Sequence, residues 1–221
     1  SIPTPDEAAQ DRVHFIFNNL SQQNLVQKHK ELLECVQRQF FPWLAQYIVV
    51  KRASIEPNFH HIYLQFLDKI DSPQLTQHVL MASYRNIKML LQSDKITSDI
   101  SERTLLKNLG SWVGNLTLAK NKPILHKHLD LKVPCPASAS RNLDSFTHSL
   151  RFLRYLQSYV LDAYERRNRL IAVVPLVAKI LDACARSKIF TTSNVWVNAY
   201  LRLLAEIYSE PDLKLNLTFE I

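Results

Sequence analysis

Glycine is nearly absent from this sequence, and its scarcity excludes several classes of protein. Only 2 of the 221 residues are glycine, whereas soluble proteins average about 7%. Phosphate-binding loops and nucleotide-binding turns need several glycines at fixed spacings, and tight β-hairpins need residues that accept positive φ. The composition therefore disfavours nucleotide-binding α/β folds and hairpin-rich β folds, and it favours an all-α protein.

Cysteine is also scarce and forms no recognisable motif. Cys35, Cys135 and Cys184 lie far apart, without a C-x-x-C pair, so neither a disulfide framework nor a zinc site is indicated. Unpaired cysteines are typical of a reducing compartment. The first residues lack the basic and apolar regions of a signal peptide, and no apolar run reaches the roughly 20 residues of a membrane span. We therefore expect an intracellular protein without a membrane segment.

Motifs that carry catalysis are missing as well. The sequence contains no H-E-x-x-H, G-x-S-x-G or Walker motif. Two close histidine pairs occur, His60 with His61 and His126 with His128, but side chains one or two positions apart do not converge on a helix. A hydrolase without a known motif would need convergent titratable groups in a pocket. We expect no enzymatic activity, no metal and no cofactor.

What the sequence does contain is apolar residues at helical spacing along most of its length. The chain is 47% hydrophobic and carries a net charge of +7, which favours acidic partners, either nucleic acid or an acidic protein surface. The predicted helices lie near residues 5–20, 25–51, 59–70, 73–92, 102–122, 143–164, 171–187 and 195–209.

The spacing of these helices indicates a repeat architecture. Helix onsets near residues 6, 58 and 102 are about 44 to 52 residues apart, which is typical of paired helices in HEAT-type arrays. We therefore predict an all-α HEAT-type solenoid in which antiparallel helix pairs form a crescent. It is expected to be a single repeat domain over residues 1–221, truncated at its C-terminal end.

Two helices carry residues that are unusual inside a helix. Pro42 falls within the predicted helix 25–51, where it is expected to cause a kink rather than an end. Gly110 and Gly114 fall within the helix 102–122, where each costs up to about 1 kcal/mol relative to alanine. Two interpretations of these glycines remain open: close packing against a neighbouring helix, or close approach of a partner to the backbone.

The end of the chain conflicts with the helical pattern before it. Leu213, Leu215, Leu217, Phe219 and Ile221 alternate with a period of two, which is typical of a strand. A lone strand would have no partner in an all-α protein. We therefore expect an extended linker that turns into a helix interrupted by the end of the sequence.

Several runs of the sequence resemble a known family. These are residues 15–21, 51–59, 84–88, 105–110, 118–126 and 212–217, which read FIFNNLS, KRASIEPNF, YRNIK, LLKNLG, LAKNKPILH and DLKLNL. They are similar to the central domain of Not1-type scaffolds, the large subunit of the Ccr-Not mRNA deadenylase complex. In that family the region resembles the middle domain of initiation factor 4G, which is a crescent of HEAT repeats.

The resemblance implies a function as well as a fold. Such a domain is expected to dock a Caf-type poly(A) exonuclease on one surface and a DEAD-box RNA helicase on another, coupling mRNA deadenylation to translational repression and decay. The rest of the scaffold would hold other Ccr-Not subunits. The expected location is the cytoplasm, including mRNA-decay granules, with the nucleus as a second location.

The sequence departs from the family at residues 133–157, which intervene where the family continues directly into its next helix. The insertion begins with Val133-Pro-Cys-Pro-Ala-Ser-Ala-Ser140, a composition typical of a loop. It is expected either to lengthen a surface helix or to project a disordered arm.

The family runs also suggest where the helicase binds. If the second helix of each pair and the neighbouring loops form the concave side, the contact residues are Lys51, Arg52, Glu56, Arg85, Asn86, Lys88, Lys120, Asn121 and Lys122. Capping and packing remain the alternative explanation for each of them. No residue can be named for the exonuclease surface.

A second hypothesis is direct RNA binding by a basic α-helical module. Arginines in and beside the insertion alternate with aromatic residues, an arrangement that could stack on bases and neutralise phosphates. The alternative is a solvated helix face. The candidate contacts are Arg151, Arg154, Arg166, Arg167 and Arg169.

Overall fold

The computed structural model describes residues 2–124, 169–211, 213, 215–219 and 221. Over these residues the regular structure is helical, without a strand, which confirms the all-α class. The α-helices are α1 (Glu7–Asn18), α2 (Leu25–Cys35), α3 (Phe41–Tyr47), α4 (His60–Ile70), α5 (Pro73–Gln92), α6 (Ile100–Leu116), α7 (Leu170–Leu181), α8 (Val195–Tyr208) and α9 (Leu215–Thr218). The predicted helix 143–164 and the predicted insertion 133–157 lie outside the described residues. Among the helices described, none is both long and apolar enough to cross a membrane.

Side-chain caps fix three helix starts. Asp6 accepts a hydrogen bond from the Ala9 amide at 2.8 Å, so α1 begins two residues later than predicted. Asp99 and Asn194 cap α6 and α8 in the same way, within the cap segments predicted from the sequence. Each carboxylate or amide oxygen satisfies amide groups that the first turn leaves without a partner.

The predicted long helix 25–51 is wrong. Helix α2 ends at Cys35, a 3₁₀ turn covers Arg38–Phe40, and α3 begins at Phe41. Pro42 lies in the first turn of α3, where its missing N–H costs nothing and its fixed φ suits the helix. The proline therefore starts a new helix instead of kinking an existing one. Leu33, predicted to face inward, is 48% exposed.

The chain divides into two compact units, Ser1–Asn86 and Ile87–Ile221. In the first unit, α2 packs against both α1 and α4. Its core includes Val13, Ile16, Leu44 and Phe66, all of which are fully buried. A π-helical segment, Ile48–Ala53, continues directly from α3. The predictions of a single repeat domain and of a crescent stay predictions.

In the second unit, α6 packs closely against α7. A Cβ atom placed on Gly110 would lie 2.8 Å from the carbonyl oxygen of Leu176, and one placed on Gly114 would lie 2.7 Å from that of Ile180. Both distances are shorter than real Cβ contacts. The two glycines are thus explained by close helix packing, the first of the two interpretations.

The end of the chain forms a helical turn rather than a strand. Residues Leu215–Thr218 make up α9, which contacts α7, and Leu217 is buried. The strand suggested by the period-two pattern does not form at these residues, and the helical turn agrees with the expected linker that turns into a helix. Leu201 of α8 is also exposed, although the helical spacing placed it inward.

Candidate functional site

Arg52 joins three segments of the first unit. Its guanidinium donates to the side-chain oxygen of Asn18 at 2.9 Å and to the carbonyl of Phe17 at 3.2 Å, both at the end of α1. It also donates to the hydroxyl of Tyr63 on α4 at 3.2 Å and forms an ion pair with Glu56 at 3.2 Å. The side chain of Arg52 is mostly buried, so it holds these segments together.

Glu56 is held from a second side as well. The Tyr63 hydroxyl donates a hydrogen bond to the Glu56 carboxylate. Burial, together with this hydrogen bond, raises the pKa of Tyr63, so the phenol keeps its proton. Arg52 and Glu56, both predicted helicase contacts, are therefore brought together and are engaged inside the first unit.

Lys51 differs from its neighbour because it is exposed. It belongs to the π-helical segment Ile48–Ala53, in which each backbone hydrogen bond spans one more residue than in an α-helix. Within the described part of the chain, its ammonium group has no hydrogen-bond or ion-pair partner. Of the three candidates in this segment and the turn after it, Lys51 is the one free to contact a ligand.

Three further candidates lie on α5. Arg85 is exposed, Lys88 is half-buried, and Asn86 donates to the carbonyl of Ala82 at 2.8 Å within the same helix. Arg85 is the most accessible of the three. No hydrogen bond or ion pair among the described residues joins it to Glu56 or Arg52.

The candidates Lys120, Asn121 and Lys122 follow α6. Asn121 has a φ of 58°, a left-handed conformation that asparagine tolerates better than most residues. Its side-chain oxygen accepts hydrogen bonds from the Ser187 hydroxyl at 2.9 Å and the Lys188 amide at 2.7 Å. Asn121 therefore fixes the loop after α7. Lys122 is exposed, and Lys120 is half-buried.

Of the candidate RNA contacts, only Arg169 is described, and it donates to the carbonyl of Leu91 at 2.9 Å. Arg151, Arg154, Arg166 and Arg167 lie outside the described residues.

No group of three or more histidine, cysteine or acidic side chains at metal-binding distance occurs in the part of the chain that the structure describes.

The first unit contains a groove with a volume of about 560 Å³. Sequence analysis did not predict this groove. His14 and Asn18 of α1 line one side, and residues of α3 and the π-helical segment line the other. The His14 and Tyr47 rings stack at 5.0 Å, and the Trp43 and Tyr47 rings stack at 5.8 Å with an angle of 12°. Spacing within α3 could have suggested the Trp43–Tyr47 pair, which is four residues apart, but no local pattern pairs it with α1.

The sequence is similar to a known family model and to several known proteins. Residues 1–141 and 153–221 match the family model described as the CCR4-NOT transcription complex subunit 1 CAF1-binding domain. Residues 142–152, between the two matched ranges, fall within the segment 133–157.

Named relatives extend this finding. The sequence is 44% identical over 227 residues to the CCR4-NOT transcription complex subunit let-711 of Caenorhabditis elegans, covering 100% of this chain and 8% of that protein. It is 34% and 35% identical to the general negative regulator of transcription subunit 1 of Schizosaccharomyces pombe and of Saccharomyces cerevisiae, covering 98% and 96% of this chain. The chain spans only 8 to 9% of the length of these relatives.

Proposed function

Because the chain belongs to the family of CCR4-NOT transcription complex subunit 1 CAF1-binding domains, we propose that it is a non-catalytic scaffold domain that docks a Caf1-type deadenylase in the Ccr-Not complex. The observation that carries the proposal is the family match, which leaves out only residues 142–152. Docking to this scaffold would place the exonuclease beside the other subunits, which the rest of the scaffold holds.

Binding to a purified Caf1-type exonuclease tests this proposal directly. The two proteins are mixed at micromolar concentration, treated with ribonuclease and separated by size-exclusion chromatography. We expect them to co-elute as a complex, because the contact is between proteins and does not depend on RNA. Separate elution of two folded proteins would reject the proposal.

We further propose that a DEAD-box RNA helicase docks on a second surface. Lys51 and Arg85, the accessible cations among the predicted contacts of the first unit, support it, since such side chains can contact an acidic protein surface. Lys122, in the second unit, stays a separate prediction. Arg52 and Glu56 would contribute by holding the backbone of the first unit in place, and Asn121 would hold the backbone within the second unit. With both enzymes bound, the domain would couple deadenylation to translational repression and decay.

A charge reversal separates the two docking surfaces. Because Arg85 is exposed, Arg85→Glu should leave the fold intact and retain exonuclease binding, but lose most helicase binding. Lys69→Glu, another exposed charge reversal in the first unit, is the matched control and should bind both partners. Unchanged helicase binding by Arg85→Glu would reject this assignment of the surface.

The finer architecture and the location are part of the same proposal. We propose that the helices form HEAT-type antiparallel pairs in one crescent-shaped domain, and the packing of α1 on α2 and of α6 on α7 supports this arrangement. Small-angle scattering that indicates a globular rather than an elongated particle would contradict it.

We propose that the protein acts in the cytoplasm, including mRNA-decay granules, and also in the nucleus, which fluorescence microscopy can test.

A further inference from the structure

The groove of the first unit combines flat rings with hydrogen-bonding side chains. His14 is exposed, and Trp43 and Tyr47 are half-buried, so part of each ring remains accessible to a ligand. Burial raises the pKa of the Tyr47 phenol, which therefore stays neutral. Every nucleobase has a flat face, and stacking on aromatic side chains binds bases without requiring a particular sequence.

Amide and cationic groups lie beside the rings. Asn18, Gln46 and Lys51 line the same groove, as does Arg52. Within the described residues, the Gln46 amide has no hydrogen-bond partner, and its donor and acceptor can both pair with the edge of a base. The Lys51 ammonium is similarly unpaired and can contact a phosphate.

The charge of the groove favours an anionic ligand. Among the residues that the structure describes, none of the side chains that line it is acidic. The carboxylate bound to Arg52 belongs to Glu56, which is also held by Tyr63. The described lining of the groove therefore offers cations at one end and no free carboxylate that would repel phosphate.

We propose that this groove binds single-stranded RNA, with a base stacked on the accessible part of the His14 or Trp43 ring, its edge at Gln46 and a phosphate at Lys51. This goes beyond the docking of two protein partners. An acidic peptide would also be attracted to Lys51, but it would not use the flat rings and the unpaired amide together. The combination of rings, amide and cation favours a nucleotide.

Fluorescence anisotropy with fluorescein-labelled oligo(A) and oligo(U) of about eight nucleotides tests the proposal, because single-stranded sites span about 4 to 16 nucleotides. His14→Ala should weaken binding roughly 5- to 160-fold, the effect of losing one stacking ring. Lys51→Gln should reduce the slope of log affinity against log salt by about 0.7, the contribution of one phosphate contact on a single strand.

Matched variants control for nonspecific effects. His61→Ala and Lys69→Gln remove an exposed histidine and an exposed lysine elsewhere in the first unit, and both should bind RNA like the parent protein. RNA should also quench the fluorescence of Trp43. Trp43→Phe retains an aromatic ring and should keep affinity within a few fold, while the quenching disappears.

Three results would overturn the proposal. The first is the absence of a salt-sensitive complex with either oligonucleotide, and the second is unchanged RNA binding by both His14→Ala and Lys51→Gln. The third is loss of RNA binding only when residues 133–157 are deleted, which would assign RNA to the arginine-rich insertion.

Binding of the exonuclease and the helicase to the same variants separates this proposal from the proposed function. If His14→Ala loses the helicase but keeps RNA, the groove is a protein-docking site and the RNA proposal fails. If His14→Ala loses RNA while both protein partners still bind, both proposals stand. If the parent protein itself does not bind the exonuclease, the scaffold proposal is rejected, but the RNA measurement is unaffected.

Discussion

His60 is a buried histidine that links the stability of the first unit to pH. The residue is 5% exposed, and its Nε2 atom lies 2.7 Å from the carbonyl oxygen of Ala53, the last residue of the π-helical segment. Since a carbonyl can only accept, Nε2 donates. Burial lowers the pKa of His60, and the hydrogen bond to Ala53 opposes this only in part. The neutral ring is therefore favoured in the folded state.

We predict that this histidine destabilises the protein as the pH falls. In the unfolded chain, histidine binds a proton near pH 6.5, whereas folded His60 does so only at lower pH. The unfolded state then binds more protons, and the free energy of unfolding falls from about pH 6.5 down to the folded pKa, by at most about 1.4 kcal/mol per pH unit. Urea denaturation at several pH values measures this slope.

His60→Gln provides the comparison for this measurement. Glutamine retains an N–H donor for Ala53 but does not titrate. The parent protein should lose more stability than the variant between pH 7 and 5, and titration of the other groups cancels in the difference. Equal slopes for the two proteins would contradict a lowered pKa at this position.

Individual contacts of the site were beyond sequence analysis because their partners are distant in the chain. Arg52 donates hydrogen bonds to Phe17 and Asn18, which are 35 and 34 residues away in the sequence. The His14 ring on α1 stacks on the Tyr47 ring on α3. No local spacing indicates such pairs. The sequence could nominate Arg52 and Glu56 as polar residues in a family run, but it could not show that both are engaged internally.

At the scale of the helix, the close packing of α6 against α7 depends on the absence of side chains at two positions of α6. The backbone of α7 occupies the place of a Cβ atom at Gly110 and Gly114, at 2.8 and 2.7 Å. Backbone atoms of a buried helix cannot move as the end of a flexible side chain can. Trp112 and Val113, between the glycines, are fully buried, which further restricts any shift of α6.

We predict that Gly110→Ala and Gly114→Ala each destabilise the protein. This is expected even though alanine, relative to glycine, stabilises the interior of a helix by up to about 1 kcal/mol. Overpacking a close contact costs typically about 1–3 kcal/mol, and the short distances should make this cost the larger effect. Chemical denaturation measures the change. Thr104→Ala, at an exposed position of α6, is the control and should change stability by less than about 0.5 kcal/mol. A stabilised Gly110→Ala variant would show that α7 can move away.

Helix starts were predictable where a local signal determines them. Asp99 and Asn194 cap their helices as expected, and α5 spans the predicted residues Pro73–Gln92, because caps and prolines act within a few residues. The break before α3 was not predictable in the same way. A proline inside an apolar pattern can kink a helix or start one, and tertiary packing decides between them.

At the scale of the whole molecule, the composition was enough to predict the all-α class. Scarcity of glycine disfavoured hairpins and nucleotide loops, and the described residues are helical without a strand. The terminal alternation of leucines did not produce a strand, as the lack of a partner strand led us to expect, because a short amphipathic turn can present the same pattern. Leu217 of α9 is buried, while Leu215 of the same helix and Phe219, which follows it, are exposed.

The predicted insertion leads to a prediction for the entire chain. Residues 142–152 lie within segment 133–157 and between the two ranges that match the family model. If the family fold does not need them, their deletion should leave the helical content unchanged and shift the melting temperature by no more than about 4 °C, equivalent to roughly 1 kcal/mol in a protein of this size. Circular dichroism measures both quantities.

Exonuclease binding by the deletion variant tests whether residues 142–152 also contribute to docking. Replacing residues 142–152 with a Gly/Ser sequence of equal length is the matched control, because it keeps the chain length while removing the side chains. If the segment is an addition to the family fold, both variants should bind the exonuclease as the parent protein does. A variant that melts far lower, or that stays folded but no longer binds, would show that the family fold depends on this segment, and the insertion would have to be regarded as part of the domain.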